Sequence, residues 1–138
     1  MTVGAEPTHA LVSTWGALDA LKLRYPAAEN VEVDDRPALA INGEKGIIVV
    51  AGDASIDIHL PTIRWVTPGM PEASCHPWRS VPLAEVNLDV LASLVMRGLR
   101  ARAAQYRRCR YCHETFPPEH RNGTICHSCA ERHLGVVF

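Results

Sequence analysis

Residues 107–132 read RRCRYCHETFPPEHRNGTICHSCAER, and the two Cys-x-x-Cys pairs within them, Cys109 with Cys112 and Cys126 with Cys129, decide how the chain ends. Two residues between cysteines let one tight turn aim both sulfurs at a single ion, and zinc prefers four tetrahedral thiolate or imidazole ligands. Two such turns, thirteen residues apart, complete the shell. The predicted cofactor is therefore a structural zinc ion on these four residues. A filled shell leaves no open position for water, so the ion is expected to hold structure without activating a nucleophile. The segment carries few aliphatic side chains, and metal binding is expected to supply its folding free energy. Redox dithiols are the alternative reading of the same spacing. His113, His120, His127 and His133 crowd the region. They read as surface histidines, with ligand exchange or a supporting hydrogen bond as the alternative. Cys75 has no partner pair and reads as a plain thiol or core residue. It stands next to His76, but strand neighbours point to opposite faces, which argues against a dyad between those two.

Upstream, Asn87 is predicted to cap a long amphipathic helix with Leu88, Leu91, Val95, Leu99 and Tyr106 along one side, feeding straight into Cys109 as a lever or spacer. Gly98 is a weak point in it. Before that, Thr67 to Pro82 carries Pro68, Gly69, Pro71, Pro77 and Pro82 and is expected to be irregular. Short β-branched and aliphatic runs precede it: 31–33, 38–41, 47–51, 56–60 and 63–66. Turn residues at Asn42 to Gly46 and Gly52 to Ala54 join them into an antiparallel meander. A first helix is predicted from a cap at Thr8, with Leu11, Trp15, Leu18 and Leu21 along one buried stripe, and stopping before Pro26. The fold class is α+β: an N-terminal domain over 1–82 with a small antiparallel meander and flanking helices, a linker helix over 83–108, and a four-cysteine zinc ribbon over 109–138.

With 138 residues, 47% hydrophobic and 21% charged, the chain has the composition of a globular protein. No run approaches the roughly 18 apolar residues of a membrane span, and the first residues lack the layout of a secretion signal, so a cytoplasmic protein with no membrane partner is expected. Five cysteines are an odd number for a disulfide framework. Net charge is only -1, but it is unevenly placed. Residues 1–96 hold 6 Lys and Arg against 12 Asp and Glu; residues 97–138 hold 8 Arg against 3 Glu. The basic tail suits an anionic partner, or the chain's own acidic body.

Asn87-Leu88-Asp89-Val90, Arg97-Gly98, Gln105-Tyr106-Arg107, Tyr111-Cys112 and Cys126-His127-Ser128-Cys129-Ala130-Glu131-Arg132 resemble the linker helix and zinc ribbon of the NADH pyrophosphatases. These are Nudix hydrolases acting on NAD(H) and NAD-capped RNA. The resemblance runs from about Ser80 to Arg132. It implies the four zinc ligands, and a β-rich domain ahead of the ribbon for which residues 1–77 would be the counterpart. The family's magnesium-binding Nudix box is not found in the chain, so the resemblance implies no activity. His113 stands where the family has Gly, and the close Leu134-Gly135-Val136-Val137-Phe138 also departs from it.

No P-loop, dinucleotide fingerprint or nucleophile elbow is present, and no catalytic residue is assigned. Asp34 with Asp35, and Asp53 with Asp57, read as turn and strand-face residues. His120 between the cysteine pairs resembles the histidine of His-metal finger nucleases, whose inter-pair segment is longer. Two functions remain in view. In the first, a non-catalytic module binds nucleic acid through Arg107, Arg108, Arg110, Arg121 and Arg132 on the ribbon, with Tyr106, Tyr111 and Phe116 stacking on bases. In the second, the long helix and the apolar close dock on a protein partner or a second copy as a homodimer. A nucleotide-binding remnant of the pyrophosphatase line is the outside option.

Overall fold

The computed structural model describes residues 13–67, 70–122 and 124–135. Among these residues, three α-helices, a five-stranded antiparallel sheet and a C-terminal cluster of four cysteines make an α+β protein, as the sequence predicts.

Helix α1 spans Thr14–Arg24. Its cap is Ser13, whose hydroxyl accepts from the Gly16 amide at 2.9 Å; the expected cap Thr8 and Leu11 lie outside the described residues. Thr14, Ala17, Leu18 and Leu21 form its buried stripe. Trp15, expected in that stripe, is 64% exposed, because it sits on the flank of a face centred on the small Ala17.

The sheet is an up-and-down meander in strand order: β1 (Glu29–Val33), β2 (Arg36–Ile41), β3 (Ile47–Ala51), β4 (Ser55–Thr67) and β5 (Met70–Pro82). Asp34 and Asp35 join β1 to β2 with φ of 51° and 63°, the paired left-handed residues of a tight hairpin turn. Between β2 and β3 a short 3-10 turn ends at Gly46, where a Cβ would lie 1.5 Å from the Ile41 carbonyl oxygen, so only glycine fits.

The two runs expected at 56–60 and 63–66 are one continuous strand, and the segment expected to be irregular is strand β5. Its prolines are tolerated because β5 is an edge strand, where an outward-facing position needs no donor. Pro71 and Pro77 share a phase, and the extra residue Trp78, opposite the Ile58/His59 step, brings Pro82 back into that phase. β3 pairs with β4 only from Ile56 to His59. Beyond that point β4 and β5 continue as a two-stranded arm.

Leu39, Ile41, Ile47, Val49, Ala51, Ile56, Ile58 and Leu60 alternate onto one face and pack beneath α1 and helix α2 (Leu88–Ala104). Burying each of the Leu, Ile and Val side chains is worth about 1.5–3 kcal/mol. Asn87 caps α2 as predicted, accepting from the Val90 amide at 2.9 Å. Leu91, Leu94, Val95 and Gly98 are its buried residues in the core, so α2 is a layer of the sheet unit as well as the connection to the cysteines. Gly98 marks the close approach: a Cβ there would sit 3.2 Å from Ile47 and 3.3 Å from Ile58. The helix does not run into Cys109. It ends at Ala104, and strand β6 (Arg107–Arg108) intervenes. Among the described residues, no helix is long and apolar enough to cross a membrane.

Candidate metal centre

Two small turns build the cysteine cluster. In the first, β6 pairs with β7 (Thr115–Phe116), and the hairpin between them is closed by the Cys109 amide donating to the Glu114 carbonyl at 2.7 Å. The His113 amide donates to the Cys109 carbonyl at 3.0 Å, and His113 takes φ 65°. In the second, β8 (Arg121–Asn122) pairs with β9 (Ile125–Cys126), which leads directly into helix α3 (His127–Leu134). Cys126 is the cap of α3, its sulfur accepting from the Cys129 amide at 3.5 Å, so the positive end of the helix dipole faces the sulfurs. An amide bond from Arg110 to the Thr124 carbonyl at 2.8 Å ties the two turns together.

The four sulfurs of Cys109, Cys112, Cys126 and Cys129 all lie within 4.8 Å of one another. Cys112 and Cys126 are 3.9 Å apart, too far for a disulfide. Two sulfurs bound 2.3 Å from one ion at a tetrahedral angle would be about 3.8 Å apart. Backbone amides are aimed at them: those of Tyr111 and Cys126 approach the Cys109 sulfur at 3.4 and 3.3 Å. Burial pushes the Cys109 thiol up, but these amides and that of Cys112 more than offset it and bring it down to about 6. Burial and the three neighbouring sulfurs push Cys129 up to about 12. Four sulfurs crowded together, three of them buried and that of Cys112 exposed, with donors already aimed at a thiolate, are a donor set that suits a cation.

Cys109, Cys126 and Cys129 are buried with Phe116 and Ile125 packed on them, so Phe116, considered as a stacking residue, belongs to the knot's own small core. The knot is fastened to the sheet unit by a residue the sequence reading did not single out. Arg102 of α2 is 1% exposed and Glu119, between the cysteine pairs, is 8% exposed. The guanidinium donates to both Glu119 carboxylate oxygens at 2.6 and 3.3 Å, to Gln105 at 2.7 Å, and to the Glu44 carbonyl at 2.9 Å. No helical pattern marks it, because its partner comes from a turn seventeen residues later.

The candidate binding residues separate into two groups. Arg107, Arg108, Arg110, Tyr111 and Arg132 are exposed on the knot. Tyr111 stacks on His133 with ring centroids 4.5 Å apart. Among the described residues no carboxylate forms an ion pair with Arg107, Arg108, Arg110 or Arg132. Arg121 and Tyr106 are turned inward instead. Arg121 donates to the Phe116 and Gln105 carbonyls at 2.9 and 2.7 Å. Tyr106 lies against the Arg102 guanidinium and donates to the Glu44 carbonyl at 3.3 Å. His113 and His133 are exposed, while His120 and His127 are half-buried with their rings edge to face at 6.4 Å. The apolar close is described only to Gly135; residues 136–138 lie outside the described residues. Comparison with known protein families, with characterised proteins and with solved structures gives no significant match.

Proposed function

We propose that this chain is a non-catalytic zinc-binding module whose four-cysteine knot offers Arg107, Arg108, Arg110, Arg132 and Tyr111 to nucleic acid. The observation that carries the reading is a set of four exposed guanidinium groups on one small rigid knot with no carboxylate paired to any of them among the described residues. Such groups suit phosphate contacts, which set affinity and salt dependence without choosing a sequence. Half-exposed Tyr111 adds a ring for stacking on an unpaired base. Zinc is the favoured ion because four thiolates with tetrahedral spacing select it or an iron centre, and a saturated shell supplies structure alone. The resemblance to the NADH pyrophosphatases extends in this proposal to the ribbon and its ligands, and to no activity.

Two measurements test this. Elemental analysis of protein purified under reducing conditions should find one zinc per chain. Mobility shifts with single- and double-stranded DNA and RNA at low salt should show a complex that weakens by roughly 0.7–0.9 log units of affinity per phosphate contact for each log unit of salt. Replacing the four arginines with alanine should abolish it, and no complex with any of the four nucleic acids would end the reading.

A second reading, docking on a protein or a second copy, is favoured by Trp15 and Leu23 on α1, 64% and 84% exposed. Light scattering would then give a mass above the 15.2 kDa of one chain. A thermal shift with NAD(H) tests the nucleotide-binding option.

A further inference from the structure

The sheet face turned away from the helices carries a second group of reactive side chains. β1 and β5 are the two ends of the strand order, yet Val31, Val33 and Asp34 from one end line the same cleft as Cys75 and Pro77 from the other. The sheet therefore curls until its edges approach one another. Ala38 and Val50 on this face are each only 2% exposed, consistent with that curl. The cleft encloses about 430 Å³, with Ala40 and Ile48 in its wall.

β4 places His59 on this face, and the β4–β5 ladder brings Cys75 diagonally opposite, its sulfur 3.3 Å from His59 Nδ1. The adjacent His76 points the other way, into a cleft beside Arg102 and Glu119. Burial lowers the His59 imidazole. Asp57 on its own strand and Asp34 of the β1–β2 turn oppose that fall, while His76 of β5 adds to it. Burial raises the Cys75 thiol, and Asp34 raises it further. Near neutral pH the couple rests as a thiol and a neutral imidazole, so the sulfur needs a base to become a nucleophile. His59 Nδ1 is within hydrogen-bond reach of the proton.

We propose that Cys75 and His59 form a reactive couple that adds the thiol to small uncharged conjugated carbonyl compounds entering this cleft. The apolar wall favours such a ligand, and Glu32 and Asp34 among the lining residues disfavour an anion. As the sulfur attacks the β-carbon, an S–C bond forms and the C=C π bond opens. The thiol proton passes to His59 Nδ1, and the imidazolium returns a proton to the α-carbon. Addition needs no leaving group and no oxidant.

The test uses the whole chain with its metal bound and a limiting amount of N-ethylmaleimide, with peptide mass mapping to assign the adduct. Cys75 is expected to label first, with a rate that follows the imidazole below about pH 7, levels off, and climbs again only as the thiolate forms. His59→Ala should slow labelling at neutral pH by about tenfold or more and match the unsubstituted chain above about pH 9.5. A rate that rises tenfold per pH unit from about pH 6 to 8, as for an unassisted thiol, would overturn the proposal. So would a His59→Ala variant that labels equally fast at neutral pH, or labelling of the knot cysteines ahead of Cys75. The pH profile of the unsubstituted chain decides the matter by itself if the variant does not fold.

Discussion

His113 occupies a left-handed conformation, φ 65°, immediately after the second cysteine of the first turn. It is the position at which the resemblance to the NADH pyrophosphatases would place glycine, and the backbone gives the reason: a Cβ at positive φ crowds the following carbonyl. Histidine is among the residues that tolerate this, and a β-branched side chain is not. His113→Val should therefore cost about 1–2 kcal/mol, read as a lower urea midpoint and faster metal loss to a chelator, while His113→Gly should keep the metal and unfold no earlier. Single residues also divide what was legible in the sequence. The four cysteines were, because Cys-x-x-Cys is a local geometry. Arg102 was not, since a buried guanidinium on a helix makes sense only once Glu119 is beside it. Cys75 and His59 were not either, since their approach depends on the register of a long ladder.

At the level of elements, three of the five strands lie close to where β-branched runs put them, and the Asn87 cap of α2 is where the side chain dictates. β5 was hidden because prolines read as breakers unless one knows the strand lies at an edge, which is a property of the assembled sheet. Trp15 was misplaced for a related reason: the buried face of α1 is chosen by what packs against it, and Ala17 is small enough to pass unnoticed in a hydrophobic pattern. The β2–β3 connection is fixed by Gly46. A methyl group there would meet the Ile41 carbonyl oxygen at 1.5 Å and its carbon at 2.6 Å, so the strand ends must separate to admit one. Gly46→Ala should destabilise the fold by about 2 kcal/mol or more, visible as a lowered thermal midpoint with the metal content unchanged.

For the whole molecule, the knot and the sheet unit meet through the Arg102–Glu119 pair, which reaches Glu44 as well. Arg102→Ala leaves a carboxylate nearly buried without its partner and should cost about 3–5 kcal/mol in urea unfolding. Arg102→Met combined with Glu119→Leu should recover most of that loss, since an apolar pair of similar volume removes the burial cost of both charges. Burial raises the Glu119 carboxyl, but the hydrogen bonds and charge of Arg102 outweigh it and hold the group below its ordinary value of 4.5. A carboxyl lowered by folding stabilises fully above its unfolded pKa, and that contribution disappears as the pH falls through the folded one. The stability advantage of the native chain over the Arg102→Ala variant should hold from neutral pH to about 5 and shrink below about 4. The prolines of β5 act at this scale too. Pro71, Pro77 and Pro82, kept in one phase by the extra residue Trp78, leave the outer border of the sheet short of amide donors along its length. A foreign strand approaching that border finds no regular ladder to extend, so the chain is guarded on that side against templated β-aggregation.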